Sequence, residues 1–364
     1  MTITHASATP AAEVSAALPT EAPEHERVLI TRGPRSGLTI IVAVHSTRLG
    51  QALGGARIWN YAHWTDALAD ALRLSQAMTM KNAAAGLARG GGKSVVAVPH
   101  GVTLDEDARH NAMLDLGDAV ESLGGAYMTA EDVGTSAELM AVVAERTEHV
   151  CGLPPEQGGV GEPADATAAG VHASILATLG HVFDNADPAG RHFVIAGLGQ
   201  VGGRLARSLA AAGARLTVTD VAESKRALAD ELGAAWVAPG EAHLVEADVF
   251  VPCGLGGVLT REVVDALRVR AVVGAANNQL AARDVAARLT ERRIVWAPDF
   301  VVNAGGVIYL DVASTPDADQ AGLDARIAGI GDTVASVLRS ADEHGTTSLA
   351  AAERLARERL EAAR

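Results

Sequence analysis

Apolar and polar positions divide the chain into two differently patterned halves. From residue 27 onward, short apolar or alternating runs at 27–31, 38–45 and 56–59 predict strands. Thr65 and Asp66 then open a helix as cap and first-turn acid, with Leu68, Leu72, Ser75, Met78 and Thr79 at helical spacing and Gly86 just beyond. A short buried strand is expected at 94–98, a helix at 105–123 stopped by Gly124-Gly125, a strand at 126–129 and a helix running to 146. Around 151–165 the periodicity breaks, and Pro154-Pro155, Gly158-Gly159, Gly161 and Pro163 predict a linker.

Past the linker a helix is expected at 167–179. Strands at 192–196, 215–219, 248–252, 271–274 and 294–297 then alternate with helices at 201–212, 222–232 and 281–289. Such alternation predicts a parallel, doubly wound sheet. A polar break near 314–320 precedes a helical tail rich in Ala, Arg and Glu, expected to pack back on the first domain. Residues 1–25 lack the basic start and apolar run of a secretory signal and read as a disordered tail. The expected layout is α/β with two domains: an N-terminal unit of residues 26–155 joined by 321–364, and a Rossmann-type unit of residues 156–320.

Composition sharpens this picture in a few places. Apolar residues make up 48% of the chain and aromatics 3%, so the cores are built from Ala, Val, Leu and Ile. A net charge of −14 argues against nucleic acid or an anionic membrane as partner, although a locally basic pocket stays open. No apolar run reaches ~18 residues, so no membrane span is expected. Cys151 and Cys253 make no disulfide framework, which points to a reducing compartment, the cytoplasm. The twelve histidines have no metal-ligand spacing with Cys or carboxylates, so no metal is expected. Of 30 basic residues only Lys81, Lys93 and Lys225 are lysine, which leaves 27 arginines (30 − 3). Arg stays protonated, whereas a buried Lys can exchange a proton near neutrality. Two of these scarce lysines flank what reads as a glycine-rich turn.

The segment His192-Phe193-Val194-Ile195-Ala196-Gly197-Leu198-Gly199-Gln200-Val201-Gly202 runs a buried strand into a Gly-x-Gly-x-x-Gly pattern and then an Ala/Leu helix. Gly197 permits the tight turn, Gly199 the approach of a pyrophosphate and Gly202 close helix–strand packing. The helix N-terminus offers free N–H groups to phosphates. The following strand ends at Asp220, placed to accept hydrogen bonds from ribose hydroxyls and to repel a 2′-phosphate. The pattern therefore favours NAD over NADP. Glycines serving only packing are the bland alternative, disfavoured because strand, glycines, helix and acid all fall in place.

The run Met78–Lys93 places Lys81 at a helix end and Lys93 after three glycines. One ammonium there can pair with a carboxylate while disfavouring a second charge nearby. This run, with Leu53-Gly54-Gly55-Ala56-Arg57, Asp70-Ala71-Leu72-Arg73-Leu74, Thr129-Ala130-Glu131-Asp132-Val133-Gly134-Thr135, the glycine loop, Ala275-Ala276-Asn277-Asn278-Gln279-Leu280 and residues 297–308, resembles the leucine, valine and phenylalanine dehydrogenases of the glutamate dehydrogenase superfamily.

The resemblance implies that Lys81 binds the substrate carboxylate, that Lys93 is the general base activating water, and that Asp132 assists proton transfer and holds the amino group. It implies that main-chain groups near Gly54 complete the polar end and that Leu53, Ala130, Val307 and Leu310 line the side-chain pocket. Thr167 would touch the nicotinamide amide, and Asn277 or Asn278 would fix the nicotinamide end. Taken alone, Asp132 could be a helix cap and the Asn pair a strand-end turn. Cys253 reads as packing rather than nucleophile. Met80 and Pro99-His100-Gly101 depart from the usual pattern. The implied reaction is NAD-dependent oxidative deamination of branched-chain L-amino acids to 2-oxo acids and ammonium by a homo-oligomer, dimer or octamer. An aromatic amino-acid dehydrogenase and a catalytically silent NAD-binding protein are the rival readings.

Overall fold

The structure, a computed structural model, describes residues 24–157, 163–313 and 319–363. Most of the expected tail, the linker glycines 158, 159 and 161 and most of the polar break at 314–320 lie outside these residues. At the tail's inner end the expectation is corrected, because His25 is anchored, its Nε2 lying 2.8 Å from Ser75 Oγ.

The N-terminal sheet contains β1 (Arg27–Arg32), β2 (Thr39–Ser46), β3 (Ala52–Tyr61), β4 (Gly90–Pro99) and β5 (Tyr127–Glu131), in the order β1-β2-β4-β3-β5. β1, β2 and β4 pair antiparallel, and β4, β3 and β5 pair parallel. Strand alternation feeds two cores. Ile40, Val42 and Val44 pack against α2 (Glu106–Glu121) and α3 (Ala137–Ala144). Ile41 and Ala43 pack against α1 (Trp64–Ala84).

Two expectations change here. The first helix starts one residue before Thr65: His63 is the cap, and Asp66 accepts a hydrogen bond from the His63 N–H at 3.1 Å. The glycine-rich segment is not a turn, because Gly90, Gly91 and Gly92 begin β4. A Cβ on Gly91 would lie 2.1 Å from the Thr79 nitrogen, and one on Gly92 2.5 Å from Tyr127 Cδ2. These glycines therefore let α1 and Tyr127 close directly onto the strand. The chain reverses just before them, at residues 85–89.

The second sheet is fully parallel, in the order β11-β10-β9-β6-β7-β8. Its strands are β6 (His192–Ala196), β7 (Arg215–Thr219), β8 (Ala235–Trp236), β9 (Val249–Pro252), β10 (Ala271–Val272) and β11 (Val295–Trp296). The order reverses between β6 and β9, which is where such sheets bind ligands. The edge strand β8 is too short to give a sequence signal. The helices are α4 (Ala164–Phe183), α5 (Gln200–Ala211), α6 (Arg226–Glu231), α7 (Arg261–Ala266), α8 (Val285–Glu291), α9 (Asp299–Val302), α10 (Gly305–Ala313), α11 (Gln320–Glu343) and α12 (Ser348–Ala362).

By length and composition α4 could cross a bilayer, contrary to the expectation of no such segment. Its Val171, Ile175 and Leu179 are fully buried in the core shared with the second sheet and α11, so its apolar side is already covered. Of the C-terminal tail, α11 packs chiefly on α4, and α12 is the helix that returns to the first domain. There α12 packs on α1, and Arg359 Nη1 donates to the Ala83 carbonyl at 3.0 Å, capping the end of the helix that carries Lys81.

Candidate active site

Lys81 lies in the last turn of α1. Its neighbour Asn82 is fully buried and donates to the Gly90 and Leu53 carbonyls at 2.6 and 3.3 Å, which ties this turn to β4 and β3. Lys93 projects from β4, and Asp132 follows the end of β5. The two meet as an ion pair at 2.7 Å, with the lysine almost wholly buried. Arg57, from β3, donates through Nε to the same Asp132 oxygen at 2.9 Å and through Nη1 to Asp70 at 2.9 Å. Asp132 is thus not a helix cap: the N-cap of α3 is Ser136, and Thr135 Oγ1 accepts from the Asp132 N–H.

Gly55 makes this convergence possible, since a Cβ there would lie 2.7 Å from Asp132 Cβ and 3.2 Å from Lys93 Nζ. A Cβ on Gly54 would overlap the Gly92 carbonyl of β4, and Tyr127 OH donates to the Gly54 carbonyl at 2.9 Å.

Burial dominates the electrostatics. It pushes the Lys81 ammonium down to about 8, opposed by Asp299 and assisted by the charge of Lys93. Among the described residues no hydrogen bond or salt bridge engages Lys81 Nζ, and its counter-charges, Asp299 and Asp132, act on it without direct contact. Lys93 is lowered by burial, held back by Asp132, and lowered further by Arg57. Arg57 is thus a further cation that works against a charged Lys93, beside the mutual repulsion between Lys81 and Lys93 that the sequence pattern suggested. Asp132 is held below the ordinary carboxylate range: Lys93 and Arg57 outweigh the opposing effect of burial.

Leu53, Ala130, Val307 and Leu310, which come from β3, β5 and α10, meet in one buried apolar cluster with Cys151 and Ile308. The register of α10 is set in part by Arg89, which donates to Asp311 at 2.7 Å and to Gln51 at 2.8 Å.

The glycine loop follows β6 at the reversal point of the second sheet. Gly197 has φ +106°, and its missing Cβ leaves room for Cys253 and Gly254 of the loop after β9. A Cβ on Gly202 would strike the Gly197 carbonyl at 2.0 Å, whereas one on Gly199 would meet nothing within 4 Å. The approach to Gly199 is therefore open, and the first turn of α5, from Gln200 and Val201, has no capping side chain. This cradle fits a pyrophosphate. Asp220 is fixed beside it, accepting from the Leu198 N–H at 2.6 Å and the Ala222 N–H at 2.8 Å. Burial raises the Cys253 thiol to about 11, in keeping with packing rather than nucleophilic chemistry.

Asn277 Oδ1 accepts from Asn303 Nδ2 at 2.9 Å, while Asn278 occupies a left-handed turn with φ 51°. Among the described residues no donor reaches the buried Oδ1 of Asn303, an acceptor that suits a carboxamide. Thr167 Oγ1 donates back to the Pro163 carbonyl at 2.9 Å, at the start of α4 and against Gly306. Sequence reasoning assigned no role to Arg57, Asp299 or Asn303. All three sit inside segments it quoted, but a position inside a motif does not reveal which partner a side chain reaches. Among the described residues no group of three His, Cys, Asp or Glu side chains could hold a metal.

Two buried lysines that feel each other's charge, with a Rossmann-ordered sheet and a glycine cradle, fit a dehydrogenase with a nicotinamide cofactor. The comparisons agree. Residues 25–149 match the dimerisation domain of the Glu/Leu/Phe/Val dehydrogenases, and residues 217–364 match the Glutamate/Leucine/Phenylalanine/Valine dehydrogenase domain. The chain is 39% identical to leucine dehydrogenase of Thermoactinomyces intermedius, over 93% of this chain and 91% of that one. It is 41% identical to valine dehydrogenase of Streptomyces virginiae, over 93% and 95% respectively. Among solved structures, L-tryptophan dehydrogenase from Nostoc punctiforme superposes with a TM-score of 0.80 at 32% identity, covering 93% of this chain and 96% of that one. This chain belongs to the Glu/Leu/Phe/Val dehydrogenase family and is an amino-acid dehydrogenase, an oxidoreductase that forms oligomers.

Proposed function

We propose that the chain catalyses NAD-dependent oxidative deamination of the branched-chain L-amino acids valine, leucine and isoleucine, and the reverse reductive amination. The observation that carries this reading is the Lys93–Asp132 ion pair with a buried Lys81, without a partner among the described residues, in its electrostatic reach, together with the apolar cluster of Leu53, Ala130, Val307 and Leu310. An α-amino acid has the matching parts: an anionic end, an amino group and, in these three, an aliphatic side chain.

In this reading Lys81 holds the α-carboxylate, and main-chain groups near Gly54 complete that end. Asp132 holds the amino group. A nicotinamide, when bound, supplies the hydride acceptor for the α-carbon. Lys93 takes the proton of the water that adds to the oxidised α-carbon, and collapse then releases ammonium and a 2-oxo acid. The glycine loop from Gly197 to Gly202 would hold the pyrophosphate. Thr167, Asn277 and Asn278 would hold the nicotinamide end, and Asp220 the ribose, where its charge disfavours a 2′-phosphate. The substrate unit would comprise residues 26–155 with 321–364, and the cofactor unit residues 156–320. The proposed assembly is a homo-oligomer, dimer or octamer, and the proposed compartment is the cytoplasm, which suits two free cysteines.

A spectrophotometric screen of the L-amino acids with NAD and NADP tests this. The expected result is NADH formation with valine, leucine and isoleucine at alkaline pH and little reduction of NADP. Preference for phenylalanine or tryptophan would overturn the branched-chain reading. Silence with every amino acid would overturn the catalytic one.

A further inference from the structure

Lys93 Nζ and Arg57 Nε approach the same oxygen of Asp132, Oδ2, at 2.7 and 2.9 Å. Among the described residues no donor engages Oδ1. The carboxylate is therefore gripped on one side by two cations and left open on the other. Arg57 is itself fixed at a second point. Its Nη1 meets Asp70 Oδ2 at 2.9 Å, and that same oxygen accepts from Tyr61 OH at 2.8 Å. Arg73 closes the far end at 2.6 Å from Asp70 Oδ1. Arg57 and Tyr61 lie four residues apart on β3, on one side of the strand.

We propose that Arg57 is a positioning residue of the deamination reaction: bridging Asp70 and Asp132, it shares Oδ2 with Lys93 and so presents Oδ1 to the amino group of the substrate. The inference rests on the assignment of Lys93 and Asp132 made above. Only a planar guanidinium can span two carboxylates with separate nitrogens, so lysine at this position would keep the charge and lose the bridge. The arrangement also balances Lys93. Asp132 and Asp70 favour its charged form, while Arg57 opposes them. Lys81, the other cation in the cleft, interacts with both Lys93 and Asp132.

The test uses the full chain with NAD and L-leucine, and variants Arg57→Met, Arg57→Lys, Asp70→Asn and Lys93→Ala. Steady-state pH profiles are recorded together with the NAD Kd and thermal melts. Arg57→Met should lower kcat by about 10²-fold, the usual cost of a misplaced reacting group. It should also move the acidic limb of the profile to higher pH, because Lys93 is then held charged more firmly. Asp70→Asn should move the same limb to lower pH, the opposite direction, with a smaller loss of kcat. Arg57→Lys should leave the limb near its wild-type position while kcat stays low. A purely structural ion pair would move neither limb.

Wild-type kcat in Arg57→Met, or a fall in kcat with an unmoved limb, would overturn the inference. Should that chain not fold, Asp70→Asn with an unchanged profile would overturn it equally. Turnover surviving in Lys93→Ala would instead sink the assignment of the site itself.

Discussion

Gly55→Ala is a small substitution with a large expected effect on turnover. The Gly55 backbone does not need glycine's positive φ, so alanine brings no backbone strain and the effect is steric. Its Cβ would lie 2.7 Å from Asp132 Cβ, 2.8 Å from the Glu131 carbonyl oxygen and 3.2 Å from Lys93 Nζ. Ordinary carbon–carbon contact is about 3.5–4.0 Å, so the shortfall against Asp132 is on the order of 1 Å. The strand cannot retreat freely, because Gly55 pairs with Ala130 in the parallel ladder between β3 and β5. The strain must therefore be relieved by tilting Asp132 and its lysine. A misplacement of this size at reacting groups costs about 10²-fold in rate. Overpacking of this kind costs about 1–3 kcal/mol of stability, and a domain with about 5–15 kcal/mol stays folded. The assay is kcat with L-leucine and NAD, beside a thermal melt and the NAD Kd. A folded Gly55→Ala protein with wild-type kcat would refute the steric reasoning. So would a loss explained by weakened NAD binding.

Lys93→Ala should abolish turnover while fluorescence titration finds the NAD Kd unchanged. Lys81→Met should raise KM for the amino acid far more than it lowers kcat. It should also stabilise the ligand-free protein at neutral pH: Lys81 titrates at about 8 in the fold against 10.5 unfolded, so the folded state holds its proton less tightly. The resulting penalty is fully present below pH 8 and is relieved as pH rises towards 10.5. The Tm advantage of Lys81→Met should accordingly shrink between pH 7 and pH 10, and a constant gap would argue against the buried cation. Asp220→Ala should raise the NADP-to-NAD ratio of kcat/KM, with some loss for both cofactors because the Leu198 and Ala222 N–H groups lose their acceptor.

Much of this was legible in the sequence because the signals were periodic or chemically unusual. Parallel strands buried on both faces read as apolar runs, so β6 and β7 fall where the pattern put them. Lysine scarcity singled out Lys81 and Lys93 before any contact was known. The glycines of 90–92 misled, since glycine marks both turns and close approaches, and only the packing of Thr79 and Tyr127 against β4 distinguishes the two. Arg57 was hidden for a different reason. Arginine is the default cation of this chain, with 27 copies (30 basic residues less three lysines), so one that bridges two carboxylates carries no mark in the sequence. Asn303 was hidden likewise: its value lies in a buried oxygen that no donor reaches among the described residues, a property of the fold rather than of the residue type.

The two lysines also differ in a way that bears on the order of events. Lys93 already has its counter-charge in Asp132, so its burial is compensated before substrate arrives. Lys81 has no direct partner among the described residues; Asp299, which shares its environment, is itself buried and shifted upward. An incoming carboxylate would therefore relieve the uncompensated cation and draw Lys81 towards its charged form. The same charge acts through the cleft on Lys93 and favours its neutral, proton-accepting form. Binding of the anionic end and readiness of the base are then coupled. Turnover of an amine that lacks the carboxylate should fall in kcat as well as in affinity, and isobutylamine against L-valine is the comparison that measures it. Equal kcat for the two would mean that Lys81 serves binding alone.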